Sequence, residues 1–224
     1  MKLKAFSILA LLLAFLCVGA NAQQSDYYVV HGADENVTHG THYPKTVGIV
    51  GIQSPQQQLD NIASAPGCAA YFDKTSTVFE VKSGETVTPL IDINGSWMHG
   101  YVYVDWNNNK QFDVNLEGNG PYIKGEGNEL MCWSLYSHSS NGDTGWNSAG
   151  IYQSNGNVLA PGSFIVPQGL EEGSTYRMRY AIQWNSIDPT GSYANYISDG
   201  GAIIDVTLKI NGVADDYVDR KSVV

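Results

Sequence analysis

Charge is scarce in this chain of 224 residues, and positive charge is scarcest. Only 15% of the residues are charged, with 12 Lys and Arg against 22 Asp and Glu. Such a surface repels phosphate, which argues against sequence-independent nucleic-acid binding and against strong attraction to anionic lipid. Catalytic signatures are missing as well: there is no Gly-x-Ser-x-Gly elbow, no His-Glu-x-x-His and no phosphate-binding loop. A glycosidase needs only two placed carboxylates, so a carboxylate-dependent hydrolase stays open, but no spacing singles out a pair. A non-enzyme is expected. Helical periodicity is nearly absent, with only Gln56–Ala63 reading as a short helix. Long apolar runs are absent beyond Ala20, so no integral membrane span is expected. What remains is 43% hydrophobic, with 24 Gly, 14 Tyr and 5 Trp, a globular composition and not a disordered one.

The first residues read as an export signal. Lys2 and Lys4 precede an apolar run from Ala5 to Ala20, and Ala20-Asn21-Ala22 is a small-x-small cleavage site. Residues 1–22 are therefore expected to be removed, leaving a chain that starts at Gln23. Leu16 stands before Cys17 where a lipid-anchored precursor would carry a small residue, so secretion without a lipid anchor is expected. Removing the segment takes two lysines and no acid, which deepens the negative charge. Cys68 and Cys132 remain. In an oxidising compartment they either pair, closing a long loop worth about 4 kcal/mol on the chain-entropy model, or stay as two separate buried thiols.

The rest is strand after strand. Val102, Val104 and Trp106 alternate with Tyr101, Tyr103 and Asp105. Tyr176, Met178, Tyr180, Ile182 and Trp184 alternate with Arg177, Arg179 and Gln183. Ile204, Val206, Leu208 and Ile210 alternate with Asp205, Thr207 and Lys209. A period of two marks half-buried strands. Shorter candidates are Thr46–Ile52, Thr77–Lys82, Thr86–Ile93 and Ser163–Val166, separated by turn signals at Ser83-Gly84, Asn94-Gly95, Pro161-Gly162 and Asp199-Gly200. Many short strands with Gly-rich turns predict an all-β fold, a single β-sandwich of immunoglobulin-like or jelly-roll-like form. Its expected layout is an N-terminal segment 23–45, a sandwich domain 46–210 and a frayed acidic tail 211–224. Residues 114–161 break the rhythm. This Gly/Asn/aromatic-rich excursion either holds short strands or is a functional loop.

Two constellations carry chemistry. In Asp105-Trp-Asn-Asn-Asn-Lys-Gln-Phe-Asp113, oxygen-bearing side chains recur at Asp105, Asn107, Asn109 and Asp113, and the Gln111 carbonyl falls between the last two. A hard cation such as Ca²⁺ wants six to eight oxygens, and this alternation can wrap one in a structural site. Against that stand only two carboxylates, with Lys110 where glycine is expected; Glu117 is a further possible ligand. The other reading is a polar hairpin loop satisfying its own backbone donors. The second constellation is aromatic. Tyr122, Trp133, Tyr136, Trp146 and Tyr152 all fall in the excursion, either as exposed rings that stack on sugars and anchor interfaces or as a mini-core. Trp106 and Trp184 follow strand periodicity and read as core. His31, His39 and His42 lie close together in sequence, but a solvated loop is the expected reading of that segment, ahead of a zinc site.

Tyr71-Phe-Asp-Lys-Thr75 precedes the strand Val78–Val81. Tyr103-Val-Asp-Trp-Asn-Asn-Asn-Lys-Gln-Phe-Asp113 follows, then Ser163-Phe-Ile-Val-Pro167, Thr175-Tyr-Arg-Met-Arg179 and Gly201-Ala-Ile-Ile-Asp-Val206. This order of landmarks resembles the GEVED domain, an exported bacterial β-sandwich module. The family's signature strand is Gly-Glu-Val-Glu-Asp. Here Ala202 and Ile204 replace both glutamates, while Gly201 and Asp205 persist. The resemblance implies a binding or structural module found in the periplasm, at the outer cell surface or in the medium of a bacterium. The expected partners are an extracellular glycan or a surface protein.

Overall fold

The period-two segments become two sheets. The computed structural model describes residues 27, 30–31, 41–62, 71–114, 128–137, 144–152, 159–184, 196–197 and 199–215. Among them the strands are β1 (Val30–His31), β2 (Tyr43–Gly51), β3 (Gln57–Leu59), β4 (Tyr71–Ser83), β5 (Thr86–Asn94), β6 (Met98–Asp105), β7 (Leu130–Ser137), β8 (Thr144–Asn147), β9 (Phe164–Ile165), β10 (Thr175–Trp184), β11 (Tyr196–Ile197) and β12 (Asp199–Val213). One sheet has six strands in the order β4-β12-β10-β6-β7-β8. The other has four, β3-β2-β5-β9, and β1 pairs with β11 as a small parallel ribbon. The expected β-sandwich is thus observed.

The core between the sheets is built by one parity of each strand. Val47 and Ile49 of β2 and Val87, Ile91 and Ile93 of β5 meet Val102 and Val104 of β6, Met178, Tyr180 and Ile182 of β10, and Ile204, Val206, Leu208 and Ile210 of β12. Inward alternation from both layers is what holds stacked sheets together. The Tyr180 hydroxyl crosses the core to donate to the Gly48 carbonyl at 2.8 Å.

Several of these expectations change. The strands were expected to be half-buried, yet β6 is buried along its whole length. Its outward side chains, Tyr101 and Tyr103, lie in a second apolar cluster with Tyr27, Phe112, Leu130, Trp133, Ala181 and Ile203. The Gln56–Ala63 helix is not formed over the described residues. Gln57–Leu59 instead pairs antiparallel with β2. Gln57 exchanges side-chain amide hydrogen bonds with the backbone of Glu80, both at 2.7 Å. One side chain thereby imitates a strand partner for the edge strand β4, whose donors would otherwise stay open. The Asp199-Gly200 turn signal falls inside β12, beside a bulge where Gln183 opposes Gly201 and Trp184 opposes Asp199. Past Ile210, β12 runs on to Val213, and Asp215 exchanges hydrogen bonds with Gln53 at 2.9 and 3.0 Å; residues 216–224 lie outside the described residues.

The excursion 114–161 contributes strands. Its β7 pairs with β6, with Tyr101 opposite Trp133 and Val102 opposite Cys132, and β8 pairs with β7. Residues 115–127, 138–143 and 153–158 lie outside the described residues.

Candidate functional site

β6 ends at Asp105, and the chain then folds back on that carboxylate. Its Oδ1 accepts from the Asn109 amide at 3.2 Å, and its Oδ2 from the Lys110 amide at 2.9 Å and from the Tyr27 hydroxyl. Asn107 Oδ1 takes the Asn109 amide and Asn109 Oδ1 the Gln111 amide, each at 2.8 Å. These bonds are the usual local work of Asp and Asn in turns. Asn108 and Lys110 sit in the left-handed region, with φ of 55° and 72°. Lys110 therefore adopts the conformation for which glycine was expected, at a strain of order 1 kcal/mol. Asn107 and Asn109 both present Nδ2 to Asp113 Oδ2, at 3.0 and 2.9 Å.

Glu129, which the sequence did not single out, closes this loop. Its Oε1 accepts the Trp106 and Asn107 amides at 2.8 and 3.3 Å, and its Oε2 accepts the Asp113 amide at 2.8 Å. Burial raises its pKa, as does the Asp105 charge, against the lowering by those amides. Glu129 lies 16 residues from Asp113, so no spacing rule could have paired them. Of the cation ligands considered, Asp105, Asn107, Asn109, Gln111 and Asp113 are gathered in one loop. Glu117 lies outside the described residues. Among the described residues no group of three or more His, Cys, Asp or Glu is placed to hold a metal ion; the remaining donors in this loop are amides and a carbonyl.

Beside the loop, on the outward face of the six-stranded sheet, lies a buried ionic cluster. Arg179 and Asp205 face each other in register across β10 and β12. The guanidinium donates Nε–H to Oδ1 at 2.6 Å and Nη2–H to Oδ2 at 2.8 Å, and both residues are fully buried. Arg177 and the Tyr71 hydroxyl reach the same Oδ2 at 3.1 and 3.0 Å. Arg177 lies 4.5 Å over the ring of Tyr27, and Arg179 lies 4.9 Å over that of Phe112. Burial works to raise the Asp73 carboxyl, but the Thr75 hydroxyl and amide and the Arg177 charge outweigh it and hold its pKa below the usual value. The Tyr-x-Asp-x-Thr segment, the Asp-Trp-Asn loop, the Arg-Met-Arg strand and the end of the signature strand thus meet in one place. Gly201 has its own reason to persist. With φ of 98°, a Cβ there would lie 1.9 Å from the Ile182 carbonyl oxygen.

A family model for the GEVED domain matches residues 99–217, just over half of the chain. The chain belongs to the GEVED domain family. No curated protein matches its sequence. In this GEVED domain Ala202 and Ile204, which stand where the signature has glutamates, both point into the apolar core between the sheets. Acids there would need partners or would pay heavily for burial. The described domain also extends well before residue 99, because β2, β4 and β5 and the Tyr27 contact are all part of the fold.

The aromatic residues of the GEVED domain's excursion divide by whether the outer cluster covers them. Trp133 is only 8% exposed and packs in the outer cluster opposite Tyr101, so it is core and not an exposed ligand ring. Trp146 and Tyr152 are 52% and 47% exposed and oppose each other across an isolated bridge. The tight turn between them is held by buried Asn147. Its Oδ1 accepts the Ala149 and Ile151 amides at 3.0 and 2.9 Å, and its Nδ2 donates to the Ala160 carbonyl at 3.0 Å. Ser148 ties the same turn to the sheet, its amide donating to the Trp133 carbonyl at 2.9 Å. Tyr136 is placed by its backbone in β7, and Tyr122 lies outside the described residues.

Cys132 carries a free thiol inside the main core, where burial pushes its pKa up; Cys68, its candidate partner, lies outside the described residues. His39 lies outside them too, His31 is placed by its backbone, and the His42 ring sits 6.0 Å from that of Trp184. Trp106 and Trp184 pack against the main core.

Proposed function

We propose that this GEVED domain is a non-catalytic binding module, exported to the surface or surroundings of a bacterium, that recognises an extracellular glycan through Trp146 and Tyr152. The exposed pair on an anchored turn carries this reading. Two large rings held half in solvent by buried polar contacts are placed for stacking, since ordering them on binding costs little. A glycan-array screen of residues 23–224, run with Ca²⁺ and again with chelator, tests it. A reproducible hit supports the reading, and a blank array with folded protein overturns it for the sugars displayed.

The Asp105–Asp113 loop is proposed to take one structural Ca²⁺. What supports this is the oxygen set at Asp105, Asn107, Asn109, Gln111 and Asp113, together with the left-handed Lys110. Capture requires Asn107 and Asn109 to turn their amide oxygens inward, away from the present bonds to Asp113. The ion would supply charge neutralisation and cross-linking of the loop. A rise in melting temperature on adding Ca²⁺, lost in the Asp113→Ala variant, is expected; no shift at millimolar Ca²⁺ contradicts it.

A second reading, a structural or adhesive subunit working through protein contacts, is favoured by one observation. Among the described residues β8 is the outer strand of the six-stranded sheet, and Ile151 beside it is exposed. Outer strands and apolar rims suit strand addition. Concentration-dependent self-association without sugar affinity would favour it.

A further inference from the structure

Resting on the reading of Trp146 and Tyr152 as the ligand contact, we infer that the glycan is neutral and is taken as a single chain in solution, not as an acidic polymer and not as the face of a crystalline polysaccharide. The ring geometry excludes a flat ligand. The centroids are 5.4 Å apart and the planes meet at 69°. A planar crystalline surface can lie flat against one ring only, while the other stands nearly upright. The two rings are in edge-to-face contact, so a lone sugar residue stacks its C–H face on the ring face that the other ring leaves open, with its rim beside the second ring. The Asn147 and Ser148 hydrogen bonds hold the turn that sets this angle, so the corner is present before the ligand arrives.

Charge selects among soluble chains. The turn and its flanks, residues 144–152, are Thr-Gly-Trp-Asn-Ser-Ala-Gly-Ile-Tyr and carry no charge. No Lys or Arg occurs anywhere between Lys124 and Arg177, while the chain as a whole has 22 acids against 12 Lys and Arg. A sulfated or uronic sugar would find no counter-charge on these segments and would be repelled by the molecule as a whole. Neutral hydroxyl-bearing rings meet no such cost.

The test uses the full exported chain against three probes: soluble neutral hexasaccharides of glucose, mannose and xylose; an oligogalacturonate and a heparin fragment; and suspended crystalline cellulose and chitin. Calorimetry on the soluble probes and co-sedimentation on the solids are read for wild type, Trp146→Ala and Tyr152→Ala, each shown to be folded by circular dichroism. Binding of a neutral hexasaccharide, weakened about tenfold or more by either substitution, with no retention on the solids, is expected. Retention on the solids or binding of an acidic probe that is lost in both variants overturns this inference but leaves the aromatic site standing. Neutral-sugar binding unchanged by both substitutions, or no binding to any probe, overturns the site itself and the inference with it.

Discussion

Arg179 and Asp205 oppose each other across β10 and β12, and the guanidinium grips both carboxylate oxygens in the buried outer face of the sheet. A desolvated pair of this kind adds little net stability over an apolar pair, but losing one partner strands the other charge. Arg179→Met is therefore expected to cost about 3–5 kcal/mol, and Asp205→Asn to be similarly severe. Urea denaturation followed by tryptophan fluorescence measures both. A loss below about 1 kcal/mol in each would show that water reaches the pair.

Gly201→Ala should damage the fold more than Gly169→Ala, although both positions have positive φ. At Gly169 a Cβ meets nothing within 4 Å, so the cost is backbone strain alone, about 1–2 kcal/mol. At Gly201 the added atom collides with the Ile182 backbone, and the β10–β12 bulge must shift. Denaturant midpoints of the two variants check the ranking.

The Tyr27 hydroxyl ties the N-terminal part of the chain to Asp105, where β6 ends and the loop begins. Removing its hydroxyl in Tyr27→Phe leaves the buried Asp105 carboxylate one donor short, an expected cost of about 1–3 kcal/mol. A fragment limited to the family-matched residues 99–217 should not fold, since it lacks β2, β4 and β5. Circular dichroism of that fragment and a melting curve of the point variant test the two statements.

Stability should fall on mild acidification through His99. The residue is 3% exposed, and burial lowers its pKa from 6.5 to about 4. The unfolded chain takes up a proton below about pH 6.5 while the native state does not, so the contribution is full above that pH. It declines as the pH falls to about 4 and is constant below. The whole effect is roughly 3 kcal/mol at 1.36 kcal/mol per pKa unit. Unfolding free energies between pH 7 and pH 4 should show this slope in wild type and a shallower one in His99→Gln.

Much of the fold was legible because one residue in two is apolar wherever a strand faces the core. The parity of β6, β10 and β12 follows from Val102, Met178 and Ile204 and their neighbours. Burial of the second face was not legible, since its cover comes from Tyr27, 78 residues before Asp105, and from Phe112 across an irregular loop. The same holds for the site. Trp133 and Trp146 look alike in sequence and lie on the same outward face of the sheet; Trp133 is buried because the outer cluster covers it on β7, while Trp146 on the outer strand β8 is left to solvent. Glu129 carries no local signal, because its role arises from three backbone amides brought to it by the fold.

Trp146 and Tyr152 are proposed as the ligand contact of this GEVED domain. The most direct measurement is a glycan array read in parallel for wild type, Trp146→Ala and Tyr152→Ala, with Trp133→Ala as the core control. A wild-type hit lost in the two surface variants while their melting temperatures hold is expected, with a lowered melting temperature for the Trp133 variant. A wild-type hit retained in both surface variants, or an array blank for folded wild type, contradicts it.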